Sequence, residues 1–245
     1  NTYIIIHLYI IIYILTHYNF FLNLYYKMFW TTEVNEFISL GEYCYSSYIL
    51  YNANLKSRNH IFDWVMCNTM SVTKLLKNSL NTILNSNYFT FNERYKSIYY
   101  TKNIHDNITF LHNNLSNLKE YEYYWKLYEK FLETLNNTNN IVFVITHTTN
   151  ERYAEITDLF NTIKHNYPHS NIRILYITLQ NNNRKTKIIY KTITSCIIHC
   201  FISTNLNYNE LQYNDDILDI FKQFKNINLN MTKETNLDLQ DVFHF

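Results

Sequence analysis

A chain of 245 residues that is 47% hydrophobic is long enough to bury a sizeable core, and a net charge of +1 removes any electrostatic case for a nucleic-acid partner. Four cysteines (Cys44, Cys67, Cys196 and Cys200) are too few to build a disulfide scaffold at this length, which leads us to expect reduced thiols in a cytoplasmic compartment. The 24 Tyr and 16 Phe beside a single Gly and a single Pro follow the codon bias of an AT-rich genome, so neither Tyr nor Asn abundance is read as functional. A large DNA virus or an AT-rich parasite would be examples of such a source; for a virus, the expected location is the host-cell cytoplasm.

Residues Tyr3 to Leu15 are almost wholly apolar but fall short of the ~20 residues a membrane-spanning helix needs. No basic region precedes them and no small-residue cleavage site follows. The first methionine is Met28, so residues 1–27 are read as upstream translation, with a weak hydrophobic anchor as the alternative and membrane association expected only in that case. A strand is expected at Glu36–Leu40, a helix at Tyr43–Leu55, and a second helix at Ser71–Leu84 with Ser71 as its N-cap and Val72, Leu75, Leu76, Leu80 and Ile83 on one face. Ser97–Thr101 reads as a strand. Glu120–Leu135 reads as an amphipathic helix facing inward through Tyr124, Tyr128, Phe131, Leu132 and Leu135.

Two continuous apolar runs, Ile141–Thr146 and Ile172–Thr178, read as strands buried on both faces. The helix Glu151–Tyr167 lies between them, with Pro168 just past its end. This β-α-β unit favours parallel pairing. Strands at Lys187–Thr192 and Cys196–Ser203 and a helix at Asn209–Phe224 complete the pattern. The expected fold class is α/β, a single domain over residues 33–230 with a mostly parallel sheet and flanking helices, followed by a tail at 231–245.

The segment Ile38-Ser39-Leu40-Gly41-Glu42-Tyr43-Cys44 ends a strand at the only glycine and opens a helix at a thiol. A helix N-terminus carries partial positive charge and unpaired N–H groups, both of which favour the reactive thiolate. A buried, inert cysteine after an ordinary turn is the alternative.

With Ile61-Phe62-Asp63-Trp64-Val65 further on, this segment resembles the family of putative papain-like cysteine peptidases, whose pattern is Ser-Leu-Gly-x-x-Cys, then Pro-Phe-Asp-Trp, then a His-Asp pair and a strand–helix–strand. Here the pair is His105-Asp106; Ile61 replaces the usual proline, and Asn107 stands where an aromatic is usual. The resemblance implies thiol-dependent hydrolysis or acyl transfer, with Cys44 as nucleophile and His105 as base, acting on a peptide or other acyl substrate without a cofactor. Asp63 or Asp106 would orient His105. Asp63 is preferred, because on a strand the side chain of Asp106 would point to the face opposite His105. Gly41, Glu42, Trp64 and His147 would surround the substrate and its oxyanion. Trp64 is read as a packing anchor.

Two other readings stay open. His147 ends the Ile141–Thr146 strand where open α/β sheets bind ligands, which suits a Rossmann-like transferase or binding domain, although no glycine-rich fingerprint accompanies it. A catalytically silent interaction protein is the other. Cys196-Ile197-Ile198-His199-Cys200 is not expected to hold a metal, because alternation on a strand sets His199 apart from the cysteines.

Overall fold

The apolar runs set the centre of the molecule. The computed structural model describes residues 34–41, 44–78, 80–94, 98–147, 153–181, 187–194 and 196–204; the expected helix at 209–224 and the segments 1–27 and 231–245 lie outside them. In chain order the elements are β1 (Glu36–Ser39), α1 (Tyr45–Asn52), β2 (Val65–Met66), α2 (Thr69–Lys77), β3 (Phe89–Arg94), β4 (Ile98–Asn103), β5 (Ile108–Phe110), α3 (Leu118–Asn137), β6 (Asn140–His147), α4 (Tyr153–Asn166), β7 (Asn171–Asn181), β8 (Lys187–Thr194) and β9 (Ile197–Thr204).

The larger sheet has the order β1-β6-β7-β9-β8, parallel throughout except for the antiparallel edge strand β8. Paired residues of parallel strands share a face, and the register Ile38–Phe143–Ile174–Ile197 lays one apolar row across four strands. Toward the C-terminal ends the rows turn polar: Ile145–Tyr176–His199, then His147–Thr178. The expected α/β class with a mostly parallel sheet is observed. A second, antiparallel sheet of order β2-β5-β4-β3 was not anticipated, and it is built from short or polar strands. One core joins the two sheets, bringing Ile38 and Phe143 of the first together with Val65 and Phe110 of the second and Tyr124 and Phe131 of α3. Phe131 meets Phe62 edge-on at 5.3 Å, and Tyr124 meets Phe110 in the same way at 4.9 Å. Among the described residues no helix is long and apolar enough to cross a membrane.

Capping explains where the helices start. The Asn68 side chain accepts the Ser71 N–H at 2.8 Å, so α2 begins two residues before the expected start and Asn68, not Ser71, is its cap. It ends at Lys77 rather than Leu84, with Leu80 in the left-handed region at φ 58°. Leu80 and Ile83 remain buried in the turns that follow, which is why the apolar spacing outruns the helix. Asn117 caps α3 through the Lys119 N–H at 3.0 Å, and Glu120 in the first turn suits the positive end of the helix dipole.

Cys200, on β9 between Ile177 and Tyr190, is wholly buried, and burial pushes its thiol from the ordinary 9.0 up to about 12. A raised thiol leaves stability intact below pH 9.0, where both states are protonated. Stability is lost as pH climbs from there toward 12, because only the unfolded chain can shed the proton. The expected loss reaches about 4 kcal/mol at ~1.4 kcal/mol per pH unit. Urea titrations at a series of alkaline pH values check it: Cys200→Ala should remove this part of the alkaline decline.

Candidate functional site

Where β1 ends, Gly41 is buried and its carbonyl accepts the Cys67 thiol at 3.0 Å. No described glycine has positive φ, so Gly41 serves here through close approach rather than a left-handed turn. Glu42 lies outside the described residues. Cys44 is the N-cap of α1, with φ −62° and ψ −5°, and its carbonyl accepts the Tyr48 N–H at 3.0 Å. Its thiol makes no capping hydrogen bond. Ser46 and Thr146 share a hydrogen bond of 3.0 Å between their hydroxyls, which ties the first turn of α1 to the C-terminal end of β6. The helix terminus does not depress the Cys44 thiol as expected. Burial pushes it above its ordinary value, and a hydrogen bond from its own backbone amide offsets only part of that. A resting thiol of this kind needs a base to remove its proton.

Asp63 lies in a different network from the one expected. Its Oδ1 accepts the Ser39 hydroxyl at 2.6 Å, its Oδ2 accepts the His60 backbone N–H, and the Lys56 ammonium stands 2.7 Å from Oδ2. Lys56 also donates to the Ser47 hydroxyl and lies 5.2 Å from the centre of the Trp64 ring, which meets Tyr48 edge-on at 5.0 Å. Glu36 accepts the Ser57 hydroxyl and has Arg58 Nε at 3.6 Å and His60 Nε2 at 3.5 Å. Burial pushes the Lys56 ammonium below its ordinary value, with Asp63 and then Glu36 pulling it back. The two sequence motifs therefore bond to each other: Ser39 of Ser-Leu-Gly donates to Asp63 of Phe-Asp-Trp. Together with Glu36 and Lys56 they hold the segment 53–64 against edge strand β1 and α1. The preference for Asp63 as the group orienting His105 is corrected, since both its oxygens are taken by Ser39, His60 and Lys56. Trp64 is buried beside Lys56 as a packing anchor.

It is Asp106 that bonds the His105 ring. Residues 104–107 form a turn between β4 and β5, closed by Asn107 in the left-handed region at φ 54°. In a turn, neighbouring side chains need not point to opposite faces, and His105 Nδ1 bonds Asp106 Oδ1 at 2.9 Å. The Asp106 side chain is wholly buried while the His105 ring is 37% exposed, stacked on Tyr88 at 4.4 Å. Lys74 Nζ donates to the His105 carbonyl at 2.8 Å. The antiparallel register Met66–Thr109 carries this turn to the side on which β2 runs into Cys67 and the start of α2. That is also where the Gly41 carbonyl lands.

A family model described as "Putative papain-like cysteine peptidase" matches residues 35–182, well over half of the chain. The chain belongs to that family. The matched span runs from the residue before β1 to just past β7, so it holds Cys44, Asp63, His105, Asp106 and His147, while β8 and β9 lie beyond it. Comparison with curated proteins and with solved structures gives no match.

His147 stands apart from the solvent. It is wholly buried at the end of β6, its Nε2 lies 3.2 Å from the Thr69 hydroxyl, and its ring meets Tyr176 edge-on at 5.2 Å. Tyr176 packs at 4.4 Å on His199, which bonds the Tyr153 hydroxyl at 2.8 Å and the Thr178 hydroxyl at 2.7 Å. These contacts pin the starts of α2 and α4 to the C-terminal edge of the parallel sheet. The strand order β1-β6-β7-β9 advances in one direction, without the reversal that opens a ligand crevice in doubly wound sheets. Neither observation favours a ligand site at His147. Cys196 precedes β9 rather than lying on it, and among the described residues no group of three or more His, Cys, Asp or Glu side chains forms a metal-binding set. Two parts of this arrangement were missed by sequence reasoning: the buried Lys56, and Asn103, whose buried side-chain oxygen accepts the Asp106 backbone N–H at 3.1 Å. Neither residue type signals burial, and only the fold brings each to its partner.

Proposed function

We propose that this family member is a thiol-dependent acyl hydrolase or acyl transferase, acting on a peptide amide, thioester or ester, with Cys44 as nucleophile and His105 as base. The observation that carries this reading is the His105–Asp106 pair: an imidazole oriented at 2.9 Å by a wholly buried carboxylate, its ring still partly open to solvent. The placement of that turn and of Gly41 at the start of α2 supports a common site. Catalytic contacts tighten in the substrate complex, so the base is expected to close on the thiol when substrate seats.

In the first step the Cys44 thiol proton passes to His105, and the sulfur forms a bond to the substrate carbonyl carbon. The carbonyl π electrons move onto oxygen, where N–H groups at the start of α1 meet the developing charge. Collapse expels the amine, alcohol or thiol, which leaves with the proton held by His105. The Cys44 thioester is then cleaved by water, or by an amine if the reaction is transfer.

The raised Cys44 thiol favours one other reading, an interaction protein that keeps the fold without turnover. The deciding experiment incubates the chain with p-nitrophenyl acetate and a panel of peptide thioesters, then maps acyl adducts by mass spectrometry. Acyl groups on Cys44, absent from Cys44→Ala, are expected. Adducts spread over other residues, or none on Cys44, would favour the silent reading.

A further inference from the structure

The turn that carries His105 is built more heavily than a surface connection requires. Asn103 is wholly buried, and its Oδ1 accepts the Asp106 backbone N–H at 3.1 Å. Its Nδ2 donates to the Thr82 carbonyl at 2.8 Å and the Ile83 carbonyl at 3.1 Å, and lies 3.4 Å from Asp106 Oδ2. Lys74 Nζ approaches the other carboxylate oxygen, Oδ1, at 3.5 Å while it donates to the His105 carbonyl. One buried carboxylate is thus held from three directions: by Asn103 from below, by Lys74 from α2, and by the ring it bonds. A carboxylate offers only acceptors, so the His105 nitrogen facing it must be the one that carries hydrogen. The other nitrogen, Nε2, then bears the lone pair. The 4.4 Å stack on Tyr88 limits ring rotation, which would put a ring carbon in place of Nδ1 and break the bond to Asp106.

From this we infer that Asn103 and Lys74 are positioning residues that lock His105 in the Nδ1–H form, leaving Nε2 as its basic nitrogen. The inference rests on the proposed role of His105 only for its consequence in catalysis. The lock itself is a property of the turn, and it is tested without substrate.

Heteronuclear NMR of the ring nitrogens, on the full chain labelled at histidine and assigned with His105→Gln, reads the tautomer directly. At a pH where the ring is neutral, the wild type should show one form, with hydrogen on Nδ1. Asn103→Ala should lose it. Because that change leaves two backbone carbonyls and the Asp106 N–H without their partner, Lys74→Met is the companion, at a side chain that is 47% exposed. It should give a mixture of tautomers with an unchanged melting temperature, and Lys74→Arg should restore the single form. A mixture in the wild type, or a single form that survives in both Asn103→Ala and Lys74→Met, would overturn the lock. Acylation of Cys44 should fall about tenfold or more in Asn103→Ala, because a base in the wrong tautomer cannot take the thiol proton. A locked tautomer alongside acylation indifferent to His105 would sustain the lock and sink the catalytic reading.

Discussion

Asp63→Ala should destabilise the fold by about 3–5 kcal/mol, which in a chain of this size lowers the melting temperature by about 6–20 °C. The cause is what the substitution leaves behind. The Lys56 ammonium, wholly enclosed and already pushed below its ordinary value by burial, loses its only direct ion pair among the described residues, and the Ser39 hydroxyl and His60 N–H lose their acceptor. A charge stripped of its partner inside a protein costs far more than the pair is worth in total. Two companions separate this account from loss of packing. Asp63→Asn keeps the shape but still strands the lysine, so it should be nearly as damaging. The double replacement Lys56→Met with Asp63→Leu removes both charges and should recover much of the loss. Thermal and urea denaturation check all three. Equal damage from the double and single variants would show that shape, not charge, is what Asp63 provides.

The second large effect is on chemistry. His105→Ala should slow acyl transfer by about 10²–10⁴-fold, the range that a positioned general base contributes, and because it also removes a hydrogen bond to the buried Asp106 carboxylate, thermal stability is measured alongside. Cys44→Ala should remove the acyl adduct at that position and the turnover that depends on it. The two variants are read together by single-turnover kinetics. If His105→Ala acylates Cys44 as fast as the wild type, the sulfur works without that imidazole, and His105 belongs to the turn rather than to catalysis.

Legibility from the sequence followed the length and purity of each element. The uninterrupted apolar runs of β6 and β7 and the long amphipathic α3 were located to within a few residues, because burial on both faces, or one wide apolar face, leaves little ambiguity. The second sheet was largely missed. Val65–Met66 has two residues and Ile108–Phe110 three, too few to show alternation, and Phe89–Arg94 ends in Asn-Glu-Arg. Around the candidate site, the positions of Gly41 after a strand and of Cys44 at a helix start were legible because the three signals stand together in sequence. The partner of Asp63 was not, because a buried lysine looks like any other until the fold encloses it. The alternation rule set Asp106 aside as partner of His105, yet it holds for strands and these two residues lie in a turn.

The most direct test of the central claim is the pH profile of Cys44 acylation by an activated ester, measured in single turnover for the wild type and His105→Ala. A Cys44–His105 pair predicts fast acylation near neutral pH in the wild type. In the variant the reaction should climb only above pH 9, because burial holds the unaided Cys44 thiol protonated beyond its ordinary value of 9.0. Superimposable profiles, both rising only in alkali, would contradict it and leave Cys44 a buried thiol at a helix start.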